Sequence, residues 1–346
     1  MSTVMTDTLK SMMNEMLPLV EQEMRDVLGA SDSQPANLFL QMMHYHMGWL
    51  DENLRPTHGN GGKRVRPVLT LLSTAAAGGS WRQALPAAAA IELLHNFTLI
   101  HDDIEDNSPT RRGRPTVWQL WGVPQAINAG DAMFASAHLA LYRLLEREVD
   151  AAIVVRAAKR FDETCMALTL GQHRDMNYES EMDVSVDEYL QMIGGKTAAL
   201  LALCGELGGL VAGAAKDTVH HYAEFGRNLG LAFQIKDDIL GIWGDEGAIG
   251  KSSATDIETR KKSLPVLFGL SQSSELKELY ASDANHAAFV DQVVSILDDC
   301  GAREFANQHA EKYSQQALGH LEDARSQGPA ARALQELSSQ LLARQH

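Results

Sequence analysis

Cysteine, aromatic residues and positive charge are all scarce in this chain, and each scarcity excludes something. The three cysteines, Cys165, Cys204 and Cys300, are far apart and form no CxxC pair. That rules out a disulfide framework or a zinc knuckle and fits buried thiols in a reducing cytosol. Lys and Arg number 30 against 45 Asp and Glu, a net charge of −15. A general nucleic-acid surface is excluded, and any bound anion must rely on local basic clusters. Aromatics make up 6%, prolines number 10 and β-branched runs are rare, whereas Ala and Leu abound; this composition favours an all-α chain. The N-terminal stretch has no basic start leading into an apolar run, so no secretory signal is visible. Thr197–Ala215 carries one charge, Glu206, but also Gly205, Gly208, Gly209 and Gly213. It is marginal in length for a bilayer span and reads better as a buried helix with close helix contacts. A soluble, cytoplasmic protein is expected.

Helical spacing of apolar residues runs through most of the chain. It is seen over 6–28, Asn37–Leu54, Val68–Ala77, Ala84–His101, Ala126–Leu145, Glu146–Lys159 and Arg160–Asp175. It resumes over Val186–Ile193, Thr197–Ala215 and Phe225–Ile242, and the polar remainder from Ser271 reads as packing helices. His44 and His46 read as packing or surface histidines, and His173 with Asp175 as a solvated helix end. With no solenoid repeat and no long linker, residues 1–346 are expected to form one domain.

Chemistry concentrates in a few stretches. Leu94–Thr116 sets Asp102, Asp103 and Asp106 at DDxxD spacing and follows them with a basic loop containing Arg111 and Arg112. On a helix Asp102 and Asp106 share a face; two bare carboxylates about 6 Å apart repel by roughly 3 kcal/mol at an effective dielectric near 20. A cation between them would relieve this, and hard oxygen donors suit Mg²⁺ shared with a phosphate. A solvated acidic turn is the alternative for this motif alone. Thr57–Pro67, THGNGGKRVRP, is a glycine loop entering Lys63, Arg64 and Arg66, suited to an anion. Gly194–Thr197, GGKT, would open a buried helix and place Lys196 and Thr197 at its positive end. In Phe225–Ile242, Gln234, Asp237 and Asp238 fall on one helical face. WGDEGAIGKSS is not a phosphate loop of the NTPase kind, because its spacing is one residue too long and no strand precedes it; it reads as a flexible loop that delivers Lys251, followed by Lys261 and Lys262.

Two aspartate clusters, several basic elements and an apolar wall at Phe97 suit diphosphates at one end and hydrocarbon at the other. In their order and spacing GGKRVRP, HDDIEDNSPTRRGRPT, GGKT and FQIKDDILGIWGD resemble the trans-isoprenyl diphosphate synthases, the polyprenyl synthetase family. The resemblance covers about residues 37 to 270. It implies an all-helical bundle around a deep central cavity (the isoprenoid synthase fold), usually a homodimer. It further implies Mg²⁺-dependent condensation of isopentenyl diphosphate with an allylic diphosphate by ionisation, condensation and elimination, with three Mg²⁺ per site. By the same resemblance Asp102 and Asp106 would bind two ions supported by Asp103, and Asp237 a third assisted by Asp238. Arg111, Lys196 and Lys251 would hold the allylic diphosphate, with Lys261 nearby. Lys63, Arg66, His95 and Arg112 would hold that of isopentenyl diphosphate. Thr197 and Gln234 would face the carbocation.

One departure stands out: the third place of the second aspartate motif is Gly241, leaving Asp245 as the next carboxylate able to replace it. Phe97 is bulky and Thr98 small, a pair that resembles the pocket floor of geranylgeranyl diphosphate makers, with residues around Ala132–Ser136 also shaping it. The twenty-carbon product is therefore expected, with farnesyl or longer diphosphates as alternatives. A class I terpene cyclase would need no second diphosphate site, and a catalytically silent subunit would be expected to lose an aspartate cluster.

Overall fold

The computed structural model describes residues 7–30, 37–57, 59, 61–181, 183–244, 255–281 and 288–343. It is all-α apart from one two-residue hairpin among the described residues. Helices α1 (Asp7–Val27), α2 (Leu38–His46) and α3 (Val65–Ala76) lead to α4 (Leu85–Glu105). Pro86 sits in the first turn of α4, where its missing N–H costs nothing. Nearly every side chain from Leu85 to Leu94 is buried, so α4 is the central helix, flanked by α3 on one side and α6 (Val123–Tyr142) on the other. Between α4 and α6 lie the strands β1 (Thr110–Arg111) and β2 (Arg114–Pro115) and a short helix, α5 (Val117–Trp121).

The spacing predicts separate helices over 146–159 and 160–175, but one helix, α7 (Ala151–Ser180), replaces them. Its start is fixed by Asp150, whose side chain accepts from the Ala152 N–H at 2.8 Å. The second helix is also shorter than expected: it ends at His46, and Gly48 turns the chain with φ +83°. The GGKT segment does not open a helix. Helices α8 (Val186–Ile193) and α9 (Ala199–Val211) are continuous through a single π turn over Gly194–Ala198. The Ser185–Glu188 capping box is the true helix start, so no free N-terminal amides lie at Lys196.

Helix α10 (Lys216–Trp243) packs between α9 and the helix Ala302–Asp323. Alpha-carbon hydrogens make close approach possible at reciprocal positions. A side chain at Gly205 would overlap the Tyr222 carbonyl, and one at Gly226 the Leu201 carbonyl. Gly205 and Gly208 of the apolar 197–215 stretch are thus close helix contacts, the latter against Thr70 and Ser73 of α3, whereas Gly213 turns the chain at φ +67°. No described helix is long and apolar enough to cross a membrane. The core falls into three buried clusters, and α10 contributes to each, through Phe225 and Leu229, then Ile235 and Ile239, then Ile242. Asp245 and Lys251 lie outside the described residues.

Candidate active site

The first wall of the site is the C-terminal turn of α4. Asp102 is half-buried there, Asp103 is 2% exposed and Asp106 is exposed where the helix ends. Burial, augmented by the neighbouring Asp106 and Glu105 and only partly offset by Lys196, lifts the Asp102 carboxyl to about 7. Asp103 and Asp106 are raised too, again mainly by burial. Carboxyls partly withdrawn from water and so near one another disfavour full ionisation, and their oxygen donors fit a hard dication. Asp103 points elsewhere, accepting from Arg111 Nε at 2.8 Å. Arg111 stands on β1, and the turn to β2 has Arg112 and Gly113 at φ +53° and +74°. Two positive φ values in a two-residue loop mark a type I′ hairpin, which sends the two arginines to different places.

Arg112 turns toward the GGKRVRP segment. It lines a cavity of about 270 Å³ with Lys63, Arg66 and His95. Gly62 allows this meeting, because a Cβ there would come within 2.8 Å of the Arg112 guanidinium. Arg64, by contrast, is a fold residue: it is buried and pairs with Glu92 at 2.7 Å and with Glu21 at 3.4 Å. Burial lowers the pKa of Arg66 and of Arg112. Burial first, and then the guanidiniums of Arg66, Arg112 and Arg111, push His95 well below its ordinary value. His46 is brought down to about 3 by burial first and then by the guanidiniums of Arg111, Arg112 and Arg64. The buried Arg66 Nε and His46 Nε2 have no hydrogen-bond partner within the protein. A cluster of desolvated guanidiniums with donors to spare is an anion site.

A second cavity, of about 400 Å³, shares Arg66 and His95 with the first. Asp102 and Lys196 stand at it, as do Phe97, Thr98 and Leu168, whose side chains give it an apolar side. Phe97 rests on Phe134 of α6 with ring centroids 5.1 Å apart. Phe134 meets His138, and His138 meets Phe161 of α7, at 4.6 and 5.0 Å. Phe97, Phe134, His138 and Phe161 thus form a ladder of rings across three helices. Phe134 falls in the region expected to help shape the pocket floor.

The π turn brings Lys196 and Thr197 to the same cavity, and Thr197 links it to α10. Lys196 forms an ion pair with Asp175 of α7. Thr197 Oγ1 donates to Gln234 Oε1 at 2.8 Å, and Gln234 Nε2 donates to Asp238 Oδ1 at 3.1 Å. These two bonds fix the amide orientation, since a flipped amide would set its oxygen against the carboxylate. Asp238, expected beside the metal, is instead 1% exposed. Its oxygens are occupied by the Tyr189 hydroxyl, Gln234, the Leu264 N–H at 3.5 Å and Lys261 Nζ at 3.5 Å. Asp237, one residue earlier, is exposed. Lys261 also reaches Asp256 at 3.7 Å, and Asp238 foremost among its neighbours raises its pKa.

Asp256 answers the departure at Gly241. A Cβ on Gly241 would lie 2.6 Å from Asp256 Oδ2. The carboxylate of the following helix, Thr255–Glu258, therefore occupies the space that a side chain at 241 would take. Asp256, Asp175, His46 and Tyr189 were not singled out as site residues from sequence. His173 and Asp175, read as a solvated helix end, both belong to the site's surroundings, His173 at the larger cavity and Asp175 on Lys196. Asp256 leaves a signal as an acidic residue a short loop beyond the incomplete motif, and Asp175 leaves one as a candidate ligand at a polar helix end.

An all-helical bundle in which the aspartate-bearing end of α4 and a guanidinium cluster stand at two adjoining cavities, one of them partly apolar, defines a diphosphate-handling enzyme of the isoprenoid type. The polyprenyl synthetase family model matches residues 47–297, and the chain belongs to that family. It is 43% identical to a geranylgeranyl diphosphate synthase of Mycobacterium tuberculosis over 82% of this chain and 81% of the relative. A (2E,6E)-farnesyl diphosphate synthase of the same organism is 37% identical over 88% and 86%. A crystal structure of a polyprenyl synthetase from Streptomyces coelicolor A3(2) superposes with a TM-score of 0.86 at 33% identity, covering 98% of this chain and all (100%) of that one.

Proposed function

We propose that the protein is a trans-prenyltransferase that joins isopentenyl diphosphate to an allylic diphosphate, with geranylgeranyl diphosphate as the main product. The observation that carries this reading is the pair of cavities meeting at Arg66 and His95, one lined also by Lys63 and Arg112 and the other by Asp102, Lys196 and apolar side chains. A cyclase needs only the second of these, and a silent subunit needs neither. In this reading Lys63, Arg66, His95 and Arg112 hold the isopentenyl diphosphate, His95 as a neutral donor. Arg111, Lys196 and Lys261 face the allylic diphosphate, with Lys251 assigned there by family resemblance. Asp102 and Asp106 on one wall and Asp237 on the other are the Mg²⁺ ligands, two ions and one. The bound Mg²⁺ would neutralise the departing diphosphate and so favour ionisation of the allylic C–O bond.

The remaining roles belong to the chain itself. Thr197 gives its proton to Gln234, so its free lone pairs can face developing positive charge. Asp238 holds Gln234 and Lys261 in place, which makes it a positioning residue and not a metal ligand. Asp256 supplies the carboxylate missing at Gly241. Phe97, backed by Phe134, limits the length of the prenyl tail.

We further assign a single domain to residues 1–346, on the continuity of α10 through all three core clusters. A homodimer through α6 and α7 is favoured by exposed apolar residues on both helices. Val155, Met166 and Leu170 fall on one stripe of α7 at 49–70% exposure, and Leu139 of α6 is 60% exposed. Purified protein incubated with isopentenyl and farnesyl diphosphates and Mg²⁺ tests the main proposal. A twenty-carbon diphosphate supports it. A hydrocarbon product would indicate the cyclase, and no turnover the silent subunit.

A further inference from the structure

Helix α10 and the helix Ala302–Asp323 share a second cluster of ligating side chains that the prenyl-transfer site does not use. His221 lies near the start of α10, thirteen residues before Gln234 and therefore about 20 Å away along the axis. The Nδ1 of His221 lies 3.1 Å from the Nδ1 of His320, on the helix Ala302–Asp323. His320 and Asp323 are one turn apart on the same face of that helix. One ligand atom from each of His221, His320 and Asp323 can be chosen so that all lie within 4.8 Å of one another. Both histidines are half-buried, and Asp323 is exposed.

We propose that His221, His320 and Asp323 form a binding site for a divalent transition-metal ion, with Zn²⁺ the best match. Zinc bonds of about 2.0–2.1 Å to two imidazole nitrogens at a tetrahedral angle place those nitrogens about 3.3 Å apart. The 3.1 Å separation therefore requires little adjustment of either ring. Two imidazoles and one carboxylate discriminate against Mg²⁺ and Ca²⁺, which favour all-oxygen shells. The site is thus chemically distinct from the aspartate clusters. Its fourth position is left to water or to His220, an exposed neighbour whose ring centre lies 6.4 Å from that of His320.

The place in the fold points to a structural role. Just beyond the cluster, the Tyr222 hydroxyl bonds Ser326 Oγ at 2.8 Å, and Gln327 N–H bonds the Ala76 carbonyl of α3 at 3.0 Å. The chain leaving the Ala302–Asp323 helix is thus already tied to α10 and α3. An ion shared by His221, His320 and Asp323 would add a clamp at the same joint. It would fix the helix that bears Gln234, Asp237 and Asp238 without touching the reacting groups.

Tag-free protein in saturating Mg²⁺, which occupies the carboxylate clusters, should be titrated with Co²⁺. The expected result is one equivalent bound with visible absorption of tetrahedral intensity, lost on adding Zn²⁺, and a thermal midpoint raised by Zn²⁺. His320→Ala should abolish both signals while prenyl transfer is unchanged. Asp323→Asn alters only an exposed ligand, so folding is safeguarded, and it should weaken Co²⁺ binding on the order of tenfold. Absence of the absorption in the wild-type protein, or the same absorption in both variants, would overturn the proposal and leave the two histidines as a simple hydrogen-bonded pair.

Discussion

Replacing Asp102 by Asn should make the metal-free protein more stable while removing most of its activity. The reasoning starts from the Asp102 carboxyl, which the fold raises from 3.8 to about 7. A folded-state value above the unfolded one means that ionisation is disfavoured in the native protein. Stability linked to this group is therefore full below about pH 4 and is lost as pH rises toward 7. At about 1.4 kcal/mol per tenfold change, the span is roughly 4 kcal/mol. Solvent reaches this half-buried side chain, so about 1–2 kcal/mol is the more realistic gain for the neutral isostere. For a chain of this size that corresponds to a few degrees in Tm. The assay is thermal unfolding at pH 5 and pH 8, with EDTA and with excess Mg²⁺. The variant should gain on wild type at pH 8 in EDTA, match it at low pH, and lose the advantage when Mg²⁺ is present. Turnover should fall by at least about a hundredfold. A variant less stable than wild type at pH 8 in EDTA would refute the idea that Asp102 is an unpaid charge in the empty fold.

The same carboxyl should make the Mg²⁺ requirement steepen on acidification. Below pH 7 the apparent Mg²⁺ affinity, read from activity against Mg²⁺ concentration, should fall by up to about tenfold per pH unit, and a flat profile between pH 5.5 and 7 would speak against it. Gly241→Ala improves intrinsic helix propensity by about 1 kcal/mol, yet its Cβ would sit 2.6 Å from Asp256 Oδ2; lower turnover with no rise in Tm is expected, and an unimpaired enzyme would detach Asp256 from the site. Arg112→Gln should raise the KM for isopentenyl diphosphate by roughly ten- to a hundredfold, the worth of a charged hydrogen bond, with the allylic KM changed far less; equal effects on both would undo the division between Arg111 and Arg112. Phe97→Ala should lengthen the product, and Phe134→Ala should do so to a smaller degree because Phe134 only backs the first ring; chromatography showing unchanged products would remove the ladder from the pocket floor.

The residues with charge or spacing of their own were legible in the chain. DDxxD at 102–106, GGKRVRP at 61–67 and the second aspartate pair announce themselves because charges of like sign are costly to cluster unless something of opposite charge binds them. Helical periodicity likewise predicted an all-α protein, since a 3.6-residue repeat shows in the order of apolar residues alone. What that order could not reveal is which side chain turns inward. Asp237 and Asp238 are neighbours with the same chemistry, yet one is exposed and the other is enclosed by Tyr189, Gln234 and Lys261. The pair Gly194 and Gly195 ahead of an apolar run reads as a helix start, but it lies within a helix because a π turn, which takes one more residue per turn, carries the chain through it. Asp256 filling the place of Gly241, Asp175 holding Lys196 and His46 joining the arginine cluster are contacts between separate elements. Local sequence determined the helices and the chemical vocabulary of the site. Only tertiary packing decided the partners, because burial and proximity are set by residues far apart in the chain.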